Sequence, residues 1–355
     1  MTETAATIRA FGQGDGDLAE LNDRAIAFLG YGNQGRAQAL NLRDSLRAAG
    51  SPAAERIAVG ALRDETWEQA QRDGFAVSPV DEAARAAGVL FLLLPDEELA
   101  DVFAAQIAPH LRANGALVLA SGYNLAFDGG LTPPEDADVL LLAPRMIGRQ
   151  MRELFERGRG FYSYVSVEQD ASGRGWPLLL ALAKGIGSLS PAGGGALELS
   201  ARDEAVLDIF HEQAFGSVLS ATMLLMIEVG LAAGLPAEAL VLDYYLSGEM
   251  AETFQTMADL GFVEQARLHS RTSQYGGMMR SLAIDREPLR KHFQETMEAI
   301  RSGAFARQWA AERASGYERL TRIQDLAAKA NPFTPIEARL RAALAEAHAR
   351  RESER

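Results

Sequence analysis

The chain of 355 residues contains no cysteine. Disulfides, thiolate catalysis and cysteine-based zinc or iron–sulfur sites are therefore excluded. Lysine is also scarce, being present only as Lys184, Lys291 and Lys329, whereas arginine is abundant. The formal net charge is −13, and binding to nucleic acid or to an anionic membrane requires a basic face. We therefore expect neither partner.

The sequence has no segment typical of secretion or membrane insertion. Residues 1–7 lack the basic start and apolar run of a signal peptide, so we expect a cytoplasmic protein. Residues 217–235 form an apolar run near the length of a membrane span, but Glu228 interrupts it and no basic flank accompanies it. We interpret this run as a helix buried on all sides in the core of a domain.

A glycine-rich turn follows the first apolar strand-like run, residues 25–29. The turn has the pattern G-x-G-x-x-G and leads directly into a helix-like stretch, residues 36–49. In this context the glycines allow a tight turn, and the N-terminus of the helix receives a pyrophosphate. We predict that the turn binds a dinucleotide through Gly30, Tyr31, Gly32, Asn33, Gln34 and Gly35.

Further apolar runs alternate with helical patterns through the N-terminal half. These strand-like runs are residues 57–62, 89–94, 116–120 and 139–143. Nearly continuous apolar strands separated by helices indicate a parallel sheet covered on both faces. We therefore predict an α/β Rossmann domain at residues 1–195, ending at the glycine-rich segment 191–195.

The end of the second strand selects the cofactor, because the adenosine ribose lies there. Arg63 would stack on adenine or contact a 2′-phosphate. Asp64 or Glu65 would accept a hydrogen bond from the ribose 2′-hydroxyl and repel a 2′-phosphate. Two acids against one arginine favour NADH over NADPH, and the alternative for each residue is a solvated turn.

Two acids in the C-terminal half are four residues apart in a helical pattern. Asp208 and Glu212 would fall on one face of that helix, about a turn apart. Such an arrangement suits Mg²⁺, which prefers fixed oxygen ligands and leaves room for water or substrate. The alternative is a solvated helix face with two ordinary acids.

Several segments together resemble the ketol-acid reductoisomerase family, in its shorter class. They are residues 30–35, 39–44, 94–96, 122–124, 169–173, 183–187, 212–213, 302–309 and 335–337. The resemblance implies a Rossmann domain followed by an all-α, knotted domain that pairs with a second copy in a homodimer. We place the helical domain at residues 196–348 and a frayed tail at residues 349–355.

The resemblance also implies a reaction and the residues that carry it. In the family, paired Mg²⁺ ions promote an alkyl migration in a 2-hydroxy-2-alkyl-3-keto acid, and NAD(P)H then reduces the product. Asp208 would bridge the two metals, Glu212 would bind one, and Glu249 would serve the other through water. Ser270 would hold the substrate carboxylate. Pro95, Asp96 and Gly122 fall in the matched segments that we assign to the cofactor.

Three catalytic positions depart from the family pattern. Ser121 replaces a histidine, and Arg145 replaces a lysine beside the metal site. Tyr245 replaces a glutamate of the second metal, although the upstream spacing leaves Asp243 as an alternative. His211, next to Glu212, is an addition that would act as a proton donor or metal ligand, or simply as a packing residue.

These departures affect the two half-reactions unequally. Alkyl migration needs both metals at once, whereas hydride transfer needs an oriented cofactor and one group that stabilises the developing charge. We interpret the chain as an NAD(P)H-dependent reductase of a small 2-keto or imino acid, assisted by Mg²⁺, whose isomerase step is compromised. The alternatives are a functional ketol-acid reductoisomerase of branched-chain amino-acid biosynthesis and a non-catalytic dinucleotide-binding protein.

Overall fold

The computed structural model describes residues 8–127, 130–331 and 333–353, and it divides into two units between Asp208 and Ile209. The described part of the first unit contains one nine-stranded sheet. Its strands are β1 (Ala10–Phe11), β2 (Ile26–Leu29), β3 (Ile57–Gly60), β4 (Ala76–Ser78), β5 (Val89–Leu92), β6 (Ala116–Leu119), β7 (Asp138–Pro144), β8 (Tyr162–Gln169) and β9 (Gly195–Glu198).

The strand order is β1-β9-β8-β7-β6-β5-β2-β3-β4. The six strands from β4 to β7 are all parallel, whereas β8 runs antiparallel to β7 and β1 antiparallel to β9. The strand order reverses between β2 and β5, and parallel sheets bind their ligands beyond the carboxyl ends of the strands at such a point. The predicted Rossmann architecture is confirmed.

The sheet extends farther along the chain than we predicted. The sequence placed the end of the domain at residue 195, but β9 begins at Gly195 and pairs with β8. The division of the structure therefore lies later, after Asp208. The short strands β1, β4 and β9 and the half-exposed β8 lack the continuous apolar run of a central strand, so they were not predicted.

Helices cover both faces of the sheet. In the first unit they are α1 (Asn33–Ala48), α2 (Glu65–Arg72), α3 (Val80–Ala86), α4 (Asp96–Val102), α5 (Tyr123–Ala126), α6 (Gly148–Glu156) and α7 (Gly175–Ile186), and α8 (Ala201–Phe210) crosses the division. Alternate residues of β2 belong to two separate cores: Phe28 packs on the side of α1 and α7, and Leu29 on the side of α3. The Phe28 and Phe91 rings stack with centroids 4.3 Å apart.

The described part of the second unit is entirely helical. Its helices are α9 (Ser217–Ala232), α10 (Ala237–Val241), α11 (Glu249–Leu260), α12 (Phe262–Ala266), α13 (Arg271–Ala283), α14 (Glu287–Arg301), α15 (Ala304–Ala314), α16 (Glu318–Ala330) and α17 (Phe333–Ser353). The predicted all-α domain is confirmed. Helix α17 includes the first five residues of the segment predicted to be a frayed tail, and residues 354–355 lie outside the described residues.

Helix α9 is not buried on all sides, so that prediction is wrong for the single chain. Of its 16 residues only Ile227 and Gly230 are buried, and Leu225 and Val229 are 59% and 66% exposed. By length and composition alone the helical stretch Ala201–Ala232 is apolar enough to cross a membrane. Within the second unit, α9 buries Ile227 in a small core with Leu240, Val241 and Ile336. This core covers only one face of α9.

Helices α1 and α7 lie in close contact in the larger core. Leu42 of α1 is fully buried, and a Cβ added at Gly185 of α7 would lie 2.3 Å from its Cδ1 atom. The Asn41 side chain donates to the Ile186 carbonyl over 3.0 Å. The absence of a side chain at Gly185 therefore sets how closely the two helices approach.

This contact predicts a coupled pair of substitutions. Gly185→Ala should lower the free energy of unfolding by about 1–3 kcal/mol, because the added methyl group overpacks Leu42. In a Leu42→Ala background, which itself costs about 2–5 kcal/mol, the same change should be nearly neutral. Urea unfolding of the four proteins measures the coupling. Gly88→Ala is the control, because the added carbon would meet no atom within 4 Å. Additive effects of Gly185→Ala and Leu42→Ala on the free energy of unfolding would contradict the prediction.

Candidate active site at the carboxyl edge of the sheet

The glycine-rich turn joins β2 to α1 in a conformation that only glycine accepts readily. Gly30 has φ +102°, and a Cβ there would lie 2.4 Å from the Leu93 carbonyl oxygen. A Cβ at Gly35 would lie 2.2 Å from the Gly30 carbonyl oxygen. Gly32 is the N-cap of α1 and contributes no side chain to it. The first N–H groups of α1 are thus left to receive a phosphate.

The Gln34 and Asn33 side chains form hydrogen bonds with the segment that follows β7. Gln34 donates from Nε2 to the Met146 carbonyl over 2.8 Å, and Asn33 Oδ1 accepts from the Arg149 N–H over 3.2 Å. Their predicted contact with the cofactor stays a prediction. A cavity of about 600 Å³ lies beside the turn between α1 and α6.

Asp73, a residue that sequence reasoning missed, anchors the turn from the end of α2. Its carboxylate accepts from the Tyr31 hydroxyl over 3.0 Å and from Arg36 Nε over 2.7 Å. Burial alone would raise the pKa of Asp73, but hydrogen bonds from Arg36, Gln69 and Tyr31 outweigh burial and lower it. No motif marks Asp73, because Tyr31 and Arg36, the partners that link it to the turn, are 42 and 37 residues away along the chain.

The residues after β3 form a helix cap. Asp64 accepts hydrogen bonds from the Thr66 hydroxyl over 2.6 Å and the Thr66 N–H over 2.9 Å, and so caps α2. These bonds lower the pKa of Asp64 and keep it ionised. The Arg63 guanidinium lies over the Trp67 ring, 4.9 Å from its centroid. An ionised acid therefore stands at the strand end where the ribose is expected.

The turn after β6 holds two carboxyl groups. Asn124 donates from Nδ2 to Asp96 Oδ1 over 3.1 Å, and the Gly122 N–H donates to Glu204 Oε2 over 2.7 Å. A Cβ at Gly122 would lie 1.9 Å from the Ala201 carbonyl oxygen, so the turn contacts the start of α8 directly. Ser121 accepts from the Tyr123 N–H over 3.2 Å and closes its own turn.

Arg145 lies immediately after β7, at the carboxyl edge of the sheet, and forms ion pairs there. Its NH2 group lies 2.6 Å from Asp208 Oδ1 and its NH1 group 3.3 Å from Glu204 Oε1. The Glu204 side chain is 2% exposed, whereas those of Arg145 and Asp208 are 30% and 38% exposed. One guanidinium thus bridges a buried and an accessible carboxylate on successive turns of α8.

Glu204 and Asp96 have pKa values that are raised towards neutrality. Burial raises the pKa of Glu204 to about 7, and the Asp208 carboxylate adds to this, while the Gly122 N–H and Arg145 oppose it. Burial of its carboxyl group raises the pKa of Asp96 to about 6, although the residue as a whole is exposed, and the hydrogen bond from Asn124 opposes this shift. Sequence reasoning missed Glu204; its place four residues before Asp208 was the available signal.

The predicted site residues of the second unit either bind other residues of that unit or are exposed. The Tyr245 hydroxyl donates to Glu337, and Asp243 is exposed. Ser270 caps α13 by accepting from the Ser273 N–H over 3.2 Å, and Glu249 is the exposed first residue of α11.

The helix between the two acids of the predicted metal site is also not a regular α-helix. His211 and Glu212 lie in a π-helical stretch, His211–Gly216. The His211 ring is exposed and lies near Phe215, with centroids 5.5 Å apart. The regular α-helical spacing assumed for Asp208 and Glu212 is interrupted there, because a π-turn holds more residues than an α-turn.

Asp208 does not fit the implied pair of Mg²⁺ ions. Its Oδ1 atom is already paired with Arg145. Across the described residues, no group of three or more His, Asp or Glu side chains is placed to hold a metal ion. Metal binding by Asp208, Glu212 and Glu249 stays a prediction, and we assign no chemical step to Mg²⁺.

The sequence matches the profiles of two domains over most of its length. Residues 20–193 match the NADPH-binding domain of acetohydroxy acid isomeroreductase, and residues 202–346 match the C-terminal domain of ketol-acid reductoisomerase. The protein belongs to the ketol-acid reductoisomerase family. It is therefore an oxidoreductase that uses a nicotinamide cofactor, as the family resemblance implied.

Individual relatives agree with this assignment. The chain is 35% identical over 316 residues to a Saccharolobus solfataricus protein named "Putative ketol-acid reductoisomerase 3", covering 88% of this chain and 92% of that one. It is similar to the structure of an NADH-preferring ketol-acid reductoisomerase from an uncultured archean, with TM-score 0.84, 29% identity and coverage of 94% and 98%. A semialdehyde dehydrogenase NAD-binding protein from Cupriavidus necator shares the fold alone, with TM-score 0.56, 19% identity and coverage of 79% and 99%.

The raised pKa of Glu204 predicts a pH dependence of stability. The unfolded chain loses this proton near pH 4.5, whereas the folded protein keeps it up to about pH 7. The free energy of unfolding should therefore fall as pH rises across this window, by at most about 3 kcal/mol from this group. Glu204→Gln should flatten the decline in urea unfolding. Glu55→Gln, which removes an exposed partner of Arg47, should leave the slope unchanged; equal slopes for all three proteins would refute the assignment.

Proposed function

We propose that the protein reduces a small 2-keto acid, or the corresponding imino acid, with NADH or NADPH and does not catalyse the alkyl migration. One observation carries this proposal: the Arg145 guanidinium lies 2.6 Å from Asp208 Oδ1. The family resemblance makes Asp208 the residue that bridges two metal ions. An arginine on that carboxylate competes with the metals, because guanidinium is always charged and larger than the ammonium group it replaces.

The two half-reactions differ in what they need from the site. Migration of an alkyl group requires two cations that polarise both oxygens of the substrate at once. Reduction requires a hydride, which the nicotinamide supplies when bound, and a proton for the carbonyl oxygen. Asp96 and Glu204 have pKa values of about 6 and about 7, so either carboxyl group can hold a proton near neutral pH. This edge thus retains what reduction needs.

The replacements elsewhere agree with loss of the migration step. Ser121 closes its own turn through its hydroxyl oxygen and offers no imidazole. Tyr245 directs its hydroxyl to Glu337, and burial and that carboxylate raise the pKa of Tyr245 to about 12. A neutral phenol is a poor ligand for Mg²⁺, which prefers charged oxygens. Tyr245, one of the two residues that the resemblance offers for the metal-site glutamate, is therefore not an anion at neutral pH; the other is Asp243.

For the cofactor we propose a preference for NADH. Asp64 stays ionised at the end of β3, where it would repel a 2′-phosphate and accept from a free ribose hydroxyl. Arg63 is stacked on Trp67, a surface suited to adenine as well as to a phosphate. The similar archaeal enzyme is described as NADH-preferring, which supports the same choice.

A functional ketol-acid reductoisomerase of branched-chain amino-acid biosynthesis is the second candidate. The 35% identity to a relative that bears this name favours it, as does the presence of Asp208, Glu212, Glu249 and Ser270. This candidate requires Arg145 to leave Asp208 when metal binds.

A direct assay separates the two candidates. We expect oxidation of NADH with 3-hydroxy-3-methyl-2-oxobutanoate, the already isomerised keto acid, and little oxidation with 2-acetolactate and Mg²⁺. NADPH in the same assays measures the cofactor preference, and a reaction without keto acid gives the background. Rapid turnover of 2-acetolactate would overturn the proposal and favour the second candidate.

We also propose that the helical unit pairs with a second copy of the chain. Several of its large apolar side chains are more than half exposed, among them Leu225, Val229, Phe262, Leu282 and Leu326. Exposed apolar area of this extent marks an interaction surface, and the family resemblance supplies the partner. The net charge of −13 opposes an anionic membrane as the alternative cover for α9.

The mass in solution tests this pairing. Without detergent, light scattering should give at least twice the chain mass of 38.3 kDa. Val229→Glu should shift the protein towards the monomer, because it places a charge on the apolar face of α9. Leu62→Glu, at a 62% exposed site of the first unit, is the matched control. A monomeric wild-type protein, or one recovered only in detergent, would contradict the dimer.

A further inference from the structure

The side chain of Arg145 is fixed at both ends. Its backbone N–H donates to the Tyr162 carbonyl over 2.8 Å, which ties the end of β7 to β8. Its guanidinium is held by Glu204 and Asp208 and lies 5.4 Å from the centroid of the Tyr164 ring. Because Glu204 is buried and anchored by Gly122, this arrangement positions a permanent cation at the carboxyl edge.

The guanidinium still has donors to offer. It carries five N–H groups in a planar fork, and its two ion pairs engage one terminal nitrogen each. The side chain is 30% exposed, so solvent and small ligands reach it. The planar, paired donors of a guanidinium match the two oxygens of a carboxylate.

The same position is unfavourable for a divalent cation. Mg²⁺ needs ligand oxygens at about 2.0–2.1 Å in nearly octahedral geometry. A guanidinium nitrogen 2.6 Å from Asp208 Oδ1 occupies one side of that oxygen and would repel the ion. Arg145 and Asp208 together are neutral, so the pair attracts Mg²⁺ less than a free carboxylate would.

We propose that Arg145 takes the place of the metal in this protein: it binds the carboxylate of the substrate, and reduction proceeds without a divalent cation. This inference rests on the proposed reduction. Hydride from bound NADH would form a new C–H bond at the carbonyl carbon, the π electrons would move to oxygen, and that oxygen would take one proton from Asp96 or Glu204. NADH is oxidised to NAD⁺ in the same step, so no further oxidant or reductant is needed.

The first test uses the wild-type protein with 3-hydroxy-3-methyl-2-oxobutanoate and NADH. Rates in excess EDTA and in millimolar Mg²⁺ should agree within about twofold, since no cation takes part. Calorimetry with Mg²⁺ alone should detect no binding in the millimolar range. Loss of activity in EDTA that Mg²⁺ restores, or tight Mg²⁺ binding, would overturn the inference.

The second test replaces the guanidinium group of Arg145 by the ammonium group of a lysine. Arg145→Lys should raise KM for the keto acid by about tenfold or more, the worth of one lost charge-assisted hydrogen bond, with a smaller change in kcat. It should also uncover Mg²⁺ binding in calorimetry, because the shorter, rotatable ammonium group no longer covers Asp208. A purely structural role of Arg145 predicts neither effect.

Arg47→Lys is the matched control, because Arg47 forms an arginine–carboxylate pair with exposed Glu55. It should change neither KM nor Mg²⁺ binding. Fluorescence titration with NADH reports whether each variant keeps its first unit folded, and the EDTA test needs no variant. An Arg145→Lys protein that binds NADH but shows an unchanged KM and no Mg²⁺ binding would refute the proposal.

The outcomes separate this inference from the proposed function. Turnover of 2-acetolactate refutes the proposed function. Turnover of the isomerised keto acid only in the presence of Mg²⁺ leaves the proposed reduction intact and refutes the role of Arg145 alone.

Discussion

The ion-pair group of Arg145, Glu204 and Asp208 is the interaction on which the candidate site depends. Glu204 is almost completely buried, and a buried carboxyl group is tolerated only with partners. It has two, the Gly122 N–H and the Arg145 guanidinium, and they join the ends of β6 and β7 to α8. Replacing Glu204 by an apolar residue would leave the buried Gly122 N–H without its acceptor in a region of low dielectric.

The sheet brings these groups together although they are far apart in sequence. Gly30, Asp96, Ser121 and Arg145 each follow a different parallel strand by one to four residues. The carboxyl ends of parallel strands lie along one edge, so the four positions converge next to the point where strand order reverses. The glycine-rich turn and the Arg145 cation therefore lie along the same edge of the sheet.

The helical unit buries less apolar surface within the single chain than an independently stable domain would. Its buried core around Ile227 is small compared with the apolar surface that it exposes. The Tyr245 hydroxyl and Glu337 bind each other beside this core, with the Phe333 ring 6.2 Å from that of Tyr245. Tyr245 thus takes part in the packing of this small core.

The Rossmann domain, the glycine-rich turn and the family were all predictable from the sequence, because apolar runs, glycine spacing and short motifs are local properties. Short edge strands and the extent of the sheet were not predictable, since pairing with β8 rather than composition makes β9 a strand. The exposure of α9 also depended on tertiary structure: an apolar run specifies a helix that needs cover, but not which surface covers it. The sequence likewise placed Asp208 and Arg145 at candidate catalytic positions. Only the three-dimensional structure showed that they neutralise each other and that buried Glu204 holds the pair, because contacts between separate strands and helices have no signature in the local sequence.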